Sequence, residues 1–292
     1  MADYLVNFTL ILIMIGIGMS LTFQDFKNVF LYPKSILTGI GSQLLILPVL
    51  SFCLAYVAPV SAFEKLGIVL IAFCPVGTTS NILVHIFRAN TALSISMTIF
   101  NSLLSPFSIP FFISLAIMFF VQGDNTVSLS FSESFIHILM FVILPAFLGL
   151  MIRKYKKQVA DFLEKPLKII LPLLLLAVFS IKIFYSDSSS TCNPLSVDEI
   201  IMLAPYVLLL NILGMYGGFL LSKVFSLDKA SQLTVAIETG LQNTALALSV
   251  ATMLENSCEI EKPALVYAMF TFFTAVLFLL VHSDVKVKDI FK

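Results

Sequence analysis

Nine apolar stretches run through this chain, each near the roughly 20 residues a helix needs to cross a hydrocarbon core about 30 Å thick. They lie at about 5–23, 35–57, 66–87, 92–121, 131–152, 167–185, 199–221, 230–254 and 264–282 of the 292 residues. Runs this long and continuous fit membrane helices, because barrel strands are short and alternate in polarity. The first stretch lacks a basic leader and an A-x-A cleavage site, so it is kept as a span rather than a signal peptide. The composition agrees: 59% of residues are hydrophobic and 12% charged, against about 25% charged in a soluble domain. That excludes a soluble globular enzyme, a disordered chain and a nucleic-acid binder with a basic face. Trp is absent and Phe numbers 28, so an interfacial aromatic belt must use Tyr and Phe.

The cations test the count of spans. With the N-terminus outside and the spans alternating, the inside holds Lys27, Lys34, Arg88, Arg153, Lys154, Lys156, Lys157, Lys165, Lys168, Lys223, Lys229, Lys286, Lys288 and Lys292. The outside holds Lys65 and Lys262, and Lys182 falls near the outer end of the sixth span, within snorkelling reach of the interface. Cytoplasmic loops are the basic ones, and one span more or fewer would scramble this bias. The N-terminus is therefore expected outside and the C-terminus in the cytoplasm. The external loops are acidic instead, with Asp187, Asp198, Glu199, Glu255, Glu259 and Glu261.

One carboxylate, Glu238, falls deep inside a span. A carboxylate in lipid needs a cation or water beside it, and no Lys or Arg shares its depth. A bound cation is the simplest partner; a protonated acid serving as a structural hydrogen bonder is the alternative. The surroundings favour the cation. The third span carries Cys74-Pro75-Val76-Gly77 followed by four polar residues, Thr78, Thr79, Ser80 and Asn81. Pro75 removes a helical donor and Gly77 weakens the helix further. The eighth span carries Glu238-Thr239-Gly240-Leu241-Gln242-Asn243. Two interrupted spans in corresponding positions point to a secondary transporter with inverted repeats, whose freed carbonyls and helix ends meet ions at mid-membrane.

The other polar groups there are hard oxygen ligands. Ser94 and Thr98 stand at i and i+4 on one face of the fourth span, though alone such hydroxyls more often bond their own helix carbonyls. Gln43, within the second span, offers an amide to a cation or to a neighbouring helix, and by itself favours the helix. No thiolate or imidazole joins them apart from Cys74 at the edge, and His85, His137 and His282 are scattered, so zinc is not expected. Hydroxyl, amide and carbonyl oxygens with a single carboxylate suit Na⁺ or H⁺ rather than Ca²⁺.

These motifs resemble those of the bile acid:sodium symporter family. Pro75-Val76-Gly77-Thr78-Thr79-Ser80-Asn81 is similar to its P-G-G-T-x-S-N stretch. Arg88-Ala89-Asn90 through Leu93-Ser94 to Thr98 resembles its R-G-x-x-A-L-S-x-x-x-T, and 238–243 its E-x-G-x-Q-N. Met19-Ser20-Leu21-Thr22 with Asp25-Phe26, and Gln43 before Leu47-Pro48, are similar to further stretches of the family. The resemblance implies an all-α polytopic membrane protein of nine transmembrane helices, with a four-span first repeat over 1–122 and a five-span second repeat over 123–292. Spans 2–4 and 7–9 would form a core in which the two broken helices cross, and spans 1, 5 and 6 a panel. It implies two Na⁺ sites. One would use Ser80, Asn81, Ser94, Thr98 and Glu238. The other would use Gln43, Glu238, Gln242 and the carbonyls of Thr239 and Leu241. An organic anion would bind beside the crossing, with Thr78, Thr79 and Asn243 as contacts.

Three departures qualify the likeness. Val76 replaces the first glycine of the pair, which suggests a less open break. The chain has nine spans, as in the animal bile acid cotransporters, where many bacterial members have ten. The last span reads Phe270-Thr271-Phe272-Phe273-Thr274, where some members place His and Asn. An apolar wall there would suit an amphipathic or sterol-like anion; lipid-facing phenylalanines are the plainer reading.

The expected activity is electrogenic, Na⁺-coupled uptake of an organic anion into the cell. The alternatives are proton coupling through Glu238 and symport of a small carboxylate such as a vitamin precursor. An intramembrane enzyme would need a nucleophile–base pair or clustered metal ligands, which the motifs lack, and a non-transporting receptor has no appended signalling domain to support it. Partners beyond the anion and the bilayer, including the oligomeric state, are not specified by the sequence, and no nucleic acid is expected. Cys192 and Cys258 both fall in external loops, where an oxidising exterior permits a disulfide; two free thiols are an equal alternative.

Overall fold

The structure, a computed structural model, describes residues 2–20, 33–121, 136–184, 195–254 and 257–285. Asp25-Phe26, Lys27, Asp187, Cys192, Glu255, Lys286, Lys288 and Lys292 lie outside the described residues, as do the ends of the stretches at 21–23, 131–135 and 185.

The described residues are helical, with short connections. The helices are α1 (Ala2–Ser20), α2 (33–57), α3 (Ala62–Phe73), α4 (Thr78–Ile86), α5 (Thr91–Phe120), α6 (136–155), α7 (Lys157–Phe184), α8 (Val197–Val224), α9 (Lys229–Gly240), α10 (Thr244–Ala251) and α11 (Ser257–His282). Within the described residues, the apolar stretches coincide with single helices or with pairs of half-helices. Among the described residues, five helices are long and apolar enough to cross a membrane: α2, α5, α6, α8 and α11. The pairs α3/α4 and α9/α10 are each too short half by half, as the interrupted spans predict.

Both interruptions are narrower than the polar motifs that flag them. The first break is Cys74–Gly77, and Thr78–Asn81 form the opening turn of α4 instead of unwound chain. The second is Leu241–Asn243, and Glu238, Thr239 and Gly240 close the last turn of α9. Side-chain caps fix the surrounding ends. Ser61 and Glu64 form a capping box at α3 and Ser196 and Glu199 another at α8. Asn90, Asp228 and Asn243 cap α5, α9 and α10.

Two helices widen by one residue per turn at matching sequence. In α2 the turn Ser42–Ile46 is π-helical, with the Leu47 N–H reaching Ser42 O; in α6 the turn Leu139–Ile143 is, with Leu144 N–H reaching Leu139 O. Each wide turn runs into a Leu-Pro pair, Leu47-Pro48 and Leu144-Pro145. The proline cannot donate and crowds the carbonyl four residues back, and a wider turn relieves that clash without breaking the helix.

α1, α6 and α7 lie against one another, α2–α5 lie with α8–α11, and α1 also packs on α10 and α6 on α5. Glycines set the closest approach of α1 to α6 and of α3 to α11. A Cβ on Gly18 would stand 1.9 Å from Ala146 O, and one on Gly149 would stand 2.2 Å from Ile15 O, so α1 and α6 meet backbone to backbone. A Cβ on Gly67 would stand 2.3 Å from Ile260 O, where α3 meets α11.

Polar contacts tie the helix ends together. Lys229 bonds Asp284 at 2.6 Å, both on the expected inner side. Lys262 bonds Glu199 at 2.6 Å and Ser61 bonds Glu259 at 2.5 Å, all on the expected outer side. Cys258 is disulfide-bonded, and Cys53 and Cys74 are free. Cys258 sits in the first turn of α11, so that helix begins earlier than its apolar stretch and the expected external loop is shorter. Of the five residues of 270–274, Phe273 is 72% exposed and Phe272 45% exposed. These two face outward, as the plainer reading expects, while Phe270 is partly buried against the core.

Candidate functional site

The two breaks cross in contact. The Asn243 N–H donates to Pro75 O at 3.1 Å, which gives a carbonyl freed by the first break a donor from the second. The last turn of α9 is held by side chains from three other helices. Asn211 of α8 donates to Gly240 O at 2.7 Å, and the Tyr267 hydroxyl of α11 donates to the same oxygen. Thr274 donates to Asn211 Oδ1 and fixes that amide's orientation. From α2, Ser42 Oγ lies 2.6 Å from Thr239 Oγ1. Sequence reasoning missed Asn211, Tyr267 and Ser42, although a buried Asn in the middle of an apolar span is a readable signal.

This clamp yields a prediction. Changing Asn211→Leu or Tyr267→Phe singly leaves Gly240 O one partner and costs about 1 kcal/mol each; changing both strands a buried carbonyl and costs about 1–3 kcal/mol more than the sum. Thermal unfolding of the purified protein in detergent checks this. Simple additivity would show that the two donors do not share the load.

Glu238 is fully buried and its side chain points at α4 and α5. Ser94 Oγ lies 2.6 Å from Glu238 Oε1, and Thr98 Oγ1 donates to Oε2 at 3.1 Å. Ser94 Oγ also lies 2.6 Å from Asn81 Oδ1. Ser80 is fully buried, within hydrogen-bonding reach of the carboxylate, and 3.0 Å from Gly77 O. All five residues named for the first ion site therefore converge, and Ser94 and Thr98 face the acid, not their own helix carbonyls.

The cluster has more acceptors than protons. Ser94 has one hydroxyl proton for two oxygens, Asn81 Oδ1 and Glu238 Oε1, and Ser80 has one for Gly77 O and the carboxylate. Three hydroxyls cannot saturate a carboxylate, an amide oxygen and a carbonyl, each with two lone pairs. A small hard cation fits such a set, because it binds oxygens that lack protons.

The residues named for the second site also meet. Gln43, carried on the wide turn of α2, donates through Nε2 to Glu238 O at 2.6 Å, the neighbour-helix bond expected of it alone. Gln242 Nε2 donates to Thr239 O at 2.8 Å. Each amide spends its nitrogen on the end of α9 and leaves its carbonyl oxygen for another ligand. Leu241 sits in the break between them.

The residues named for the organic anion are less gathered. Thr79 is exposed on α4, and the side chain of Thr78 lies outside what the structure describes. Asn243 is buried, and its Oδ1 accepts from Leu246 N at 3.0 Å as the cap of α10. A cavity of about 130 Å³ opens elsewhere, between the two helix groups, lined by Met14, Thr98, Ser102, Val142, Phe147 and Leu150 among others. Its walls are almost wholly apolar. Thr98 belongs both to this cavity and to the Glu238 cluster. Neither Thr79 nor Asn243 lines it, and the contribution of α1 and α6 follows only from how the helices pack.

Comparison with known proteins settles what kind of protein uses this arrangement. The profile of the sodium bile acid symporter family matches residues 7–193. This chain belongs to that family. An uncharacterized sodium-dependent transporter, YocS, of Bacillus subtilis (strain 168) is 33% identical over 242 residues, covering 82% of this chain and 71% of that protein. A probable chloroplastic sodium/metabolite cotransporter, BASS1, of Arabidopsis thaliana is 28% identical over 239 residues, covering 82% of this chain and 57% of that protein. The hepatic sodium/bile acid cotransporter of Homo sapiens is 25% identical over 249 residues, covering 83% and 68%. This member of the family is thus a sodium-dependent transporter with several membrane helices, and not an enzyme. The chain spans just over half the length of the plant relative.

Proposed function

We propose that the chain is a Na⁺-coupled symporter that carries an organic anion into the cell, with its N-terminus outside, its C-terminus in the cytoplasm and nine membrane crossings. The observation that carries this reading is the acceptor-rich cluster at Glu238, built where two broken helices cross. Ser80, Asn81, Ser94, Thr98 and Glu238 bind one Na⁺. Gln43, Gln242, Glu238 and the carbonyls of Thr239 and Leu241 bind a second, so that Glu238 serves both. The group of α2–α5 and α8–α11 acts as the core and the group of α1, α6 and α7 as the panel, and the apolar cavity between them takes the hydrocarbon body of the anion. Thr98 links the two, since an ion that orders its hydroxyl also shapes the cavity wall. Binding is then reciprocal: Na⁺ raises affinity for the anion by the factor by which the anion raises affinity for Na⁺.

The shape and apolarity of the cavity favour an amphipathic carboxylate or sulfonate over a small polar acid. Two Na⁺ with one monovalent anion move one net charge, worth about 2.3 kcal/mol per 100 mV of inside-negative potential. Proteoliposomes loaded with KCl and diluted into NaCl should accumulate a labelled amphipathic anion, and a valinomycin-clamped inside-negative potential should raise the rate. A proton on Glu238 would also relieve the excess of acceptors, so the same vesicles are tested with a pH gradient and no Na⁺. Uptake driven by that gradient alone would replace sodium coupling with proton coupling.

A further inference from the structure

Beside the crossing of the two breaks lies a second, much smaller cavity of about 20 Å³. Its polar lining is Gln43, Gln242, Asn101 and Ser108, and Pro75 of the first break forms one edge. That volume holds one water-sized occupant. Asn101 is 7% exposed, and its Nδ2 is fully buried with no hydrogen-bond partner. A buried amide N–H without an acceptor is unfavourable and uncommon. It sits on α5 one turn beyond Thr98, so the same helix presents one residue to the Glu238 cluster and the next to this cavity.

The oxygen of the same amide is differently placed. Asn101 Oδ1 accepts no hydrogen bond and, unlike Nδ2, is not sealed from the neighbouring space. It is free for a ligand in the cavity, as are the carbonyl oxygens of Gln43 and Gln242, whose nitrogens are committed to Glu238 O and Thr239 O. Three neutral amide oxygens around a space for one water-sized occupant are hard ligands suited to a small monovalent cation.

We infer that Asn101 is a ligand of the second Na⁺, presenting Oδ1 into the Gln43–Gln242 cavity. The inference rests on the proposed sodium coupling and adds to it. Through Asn101 and Thr98, α5 touches both ions, and through Thr98 and Ser102 it walls the substrate cavity. The helix is thereby the shared element through which occupancy of either ion is felt by the anion.

The test is thermal stabilisation of the purified protein titrated with NaCl, with KCl as the control and no organic anion present. For Asn101→Leu the half-saturating sodium concentration should rise at least tenfold, about 1.4 kcal/mol, and the Hill coefficient should fall toward one. Asn101→Asp keeps an oxygen and adds charge, so it should respond to sodium at concentrations equal to or below the wild type. It also serves where the leucine variant fails to fold. If both variants titrate like the wild type, Asn101 is not a ligand. If Asn101→Asp binds sodium tenfold more weakly, the amide acts as a donor and the inference is overturned. A wild type that shows no sodium response removes the sodium-coupling reading itself, and this inference with it.

Discussion

Replacing Glu238 by alanine is expected to abolish sodium-dependent uptake while the protein still inserts and folds. The carboxylate is the one formal negative charge within hydrogen-bonding reach of Ser80, Ser94 and Thr98, and in the proposed scheme both cations depend on it. Removing one partner of a buried charge pair costs about 3–5 kcal/mol, which corresponds to two to three orders of magnitude or more in sodium affinity. Glu238→Gln separates charge from shape. The amide still meets Ser94 and Thr98 but brings no negative charge, so it should match alanine in transport and the wild type in thermal stability without sodium. Uptake in proteoliposomes, with insertion verified by protease protection, decides the matter. Sodium-driven uptake retained by either variant would remove Glu238 from the coupling mechanism.

The second large effect is steric and lies far from the ions. Gly149→Leu should destabilise the protein by about 3 kcal/mol or more, at the upper end of overpacking. The atoms a Cβ would meet are backbone, Ile15 O at 2.2 Å and Met19 N at 2.8 Å, and no side-chain rotation relieves them. α1 and α6 would have to separate, and both line the 130 Å³ cavity, so anion affinity should fall as well. Gly41→Ala is the matched control: nothing lies within 4 Å of the point where its Cβ would stand, and a helical Gly→Ala change there should be neutral or stabilising by up to about 1 kcal/mol. Unfolding midpoints that are unchanged for Gly149→Leu would show that the close crossing of α1 and α6 is not needed.

The ion cluster was legible in one dimension for a specific reason. Polar residues are so unfavourable in an apolar span that those present stand out against their neighbours. Glu238, Asn81 and Gln242 are conspicuous without any coordinates, and Pro75 and Gly77 mark a break because their backbone effects are local. The same logic overstated the breaks, because a polar side chain says nothing about whether its own backbone is wound. Thr78–Asn81 are polar and helical at once. The wide turns before Pro48 and Pro145 were equally local in cause, but the second carries no polar residue and Ser42-Gln43 in the first do not by themselves announce a widened turn.

Local chemistry, then, determined the apolar stretches, the two interruptions, the caps and the set of hard oxygen ligands. Packing decided which of those ligands share protons, that Asn211 and Tyr267 clamp the end of α9, and that Phe272 and Phe273 face outward. It also decided that the apolar cavity is walled by α1, α5 and α6, while Thr79 and Asn243 stand away from it. The difference is physical. Breaks and caps arise from contacts within a few residues, whereas a cavity is the space left between helices distant in sequence, and no single segment encodes it.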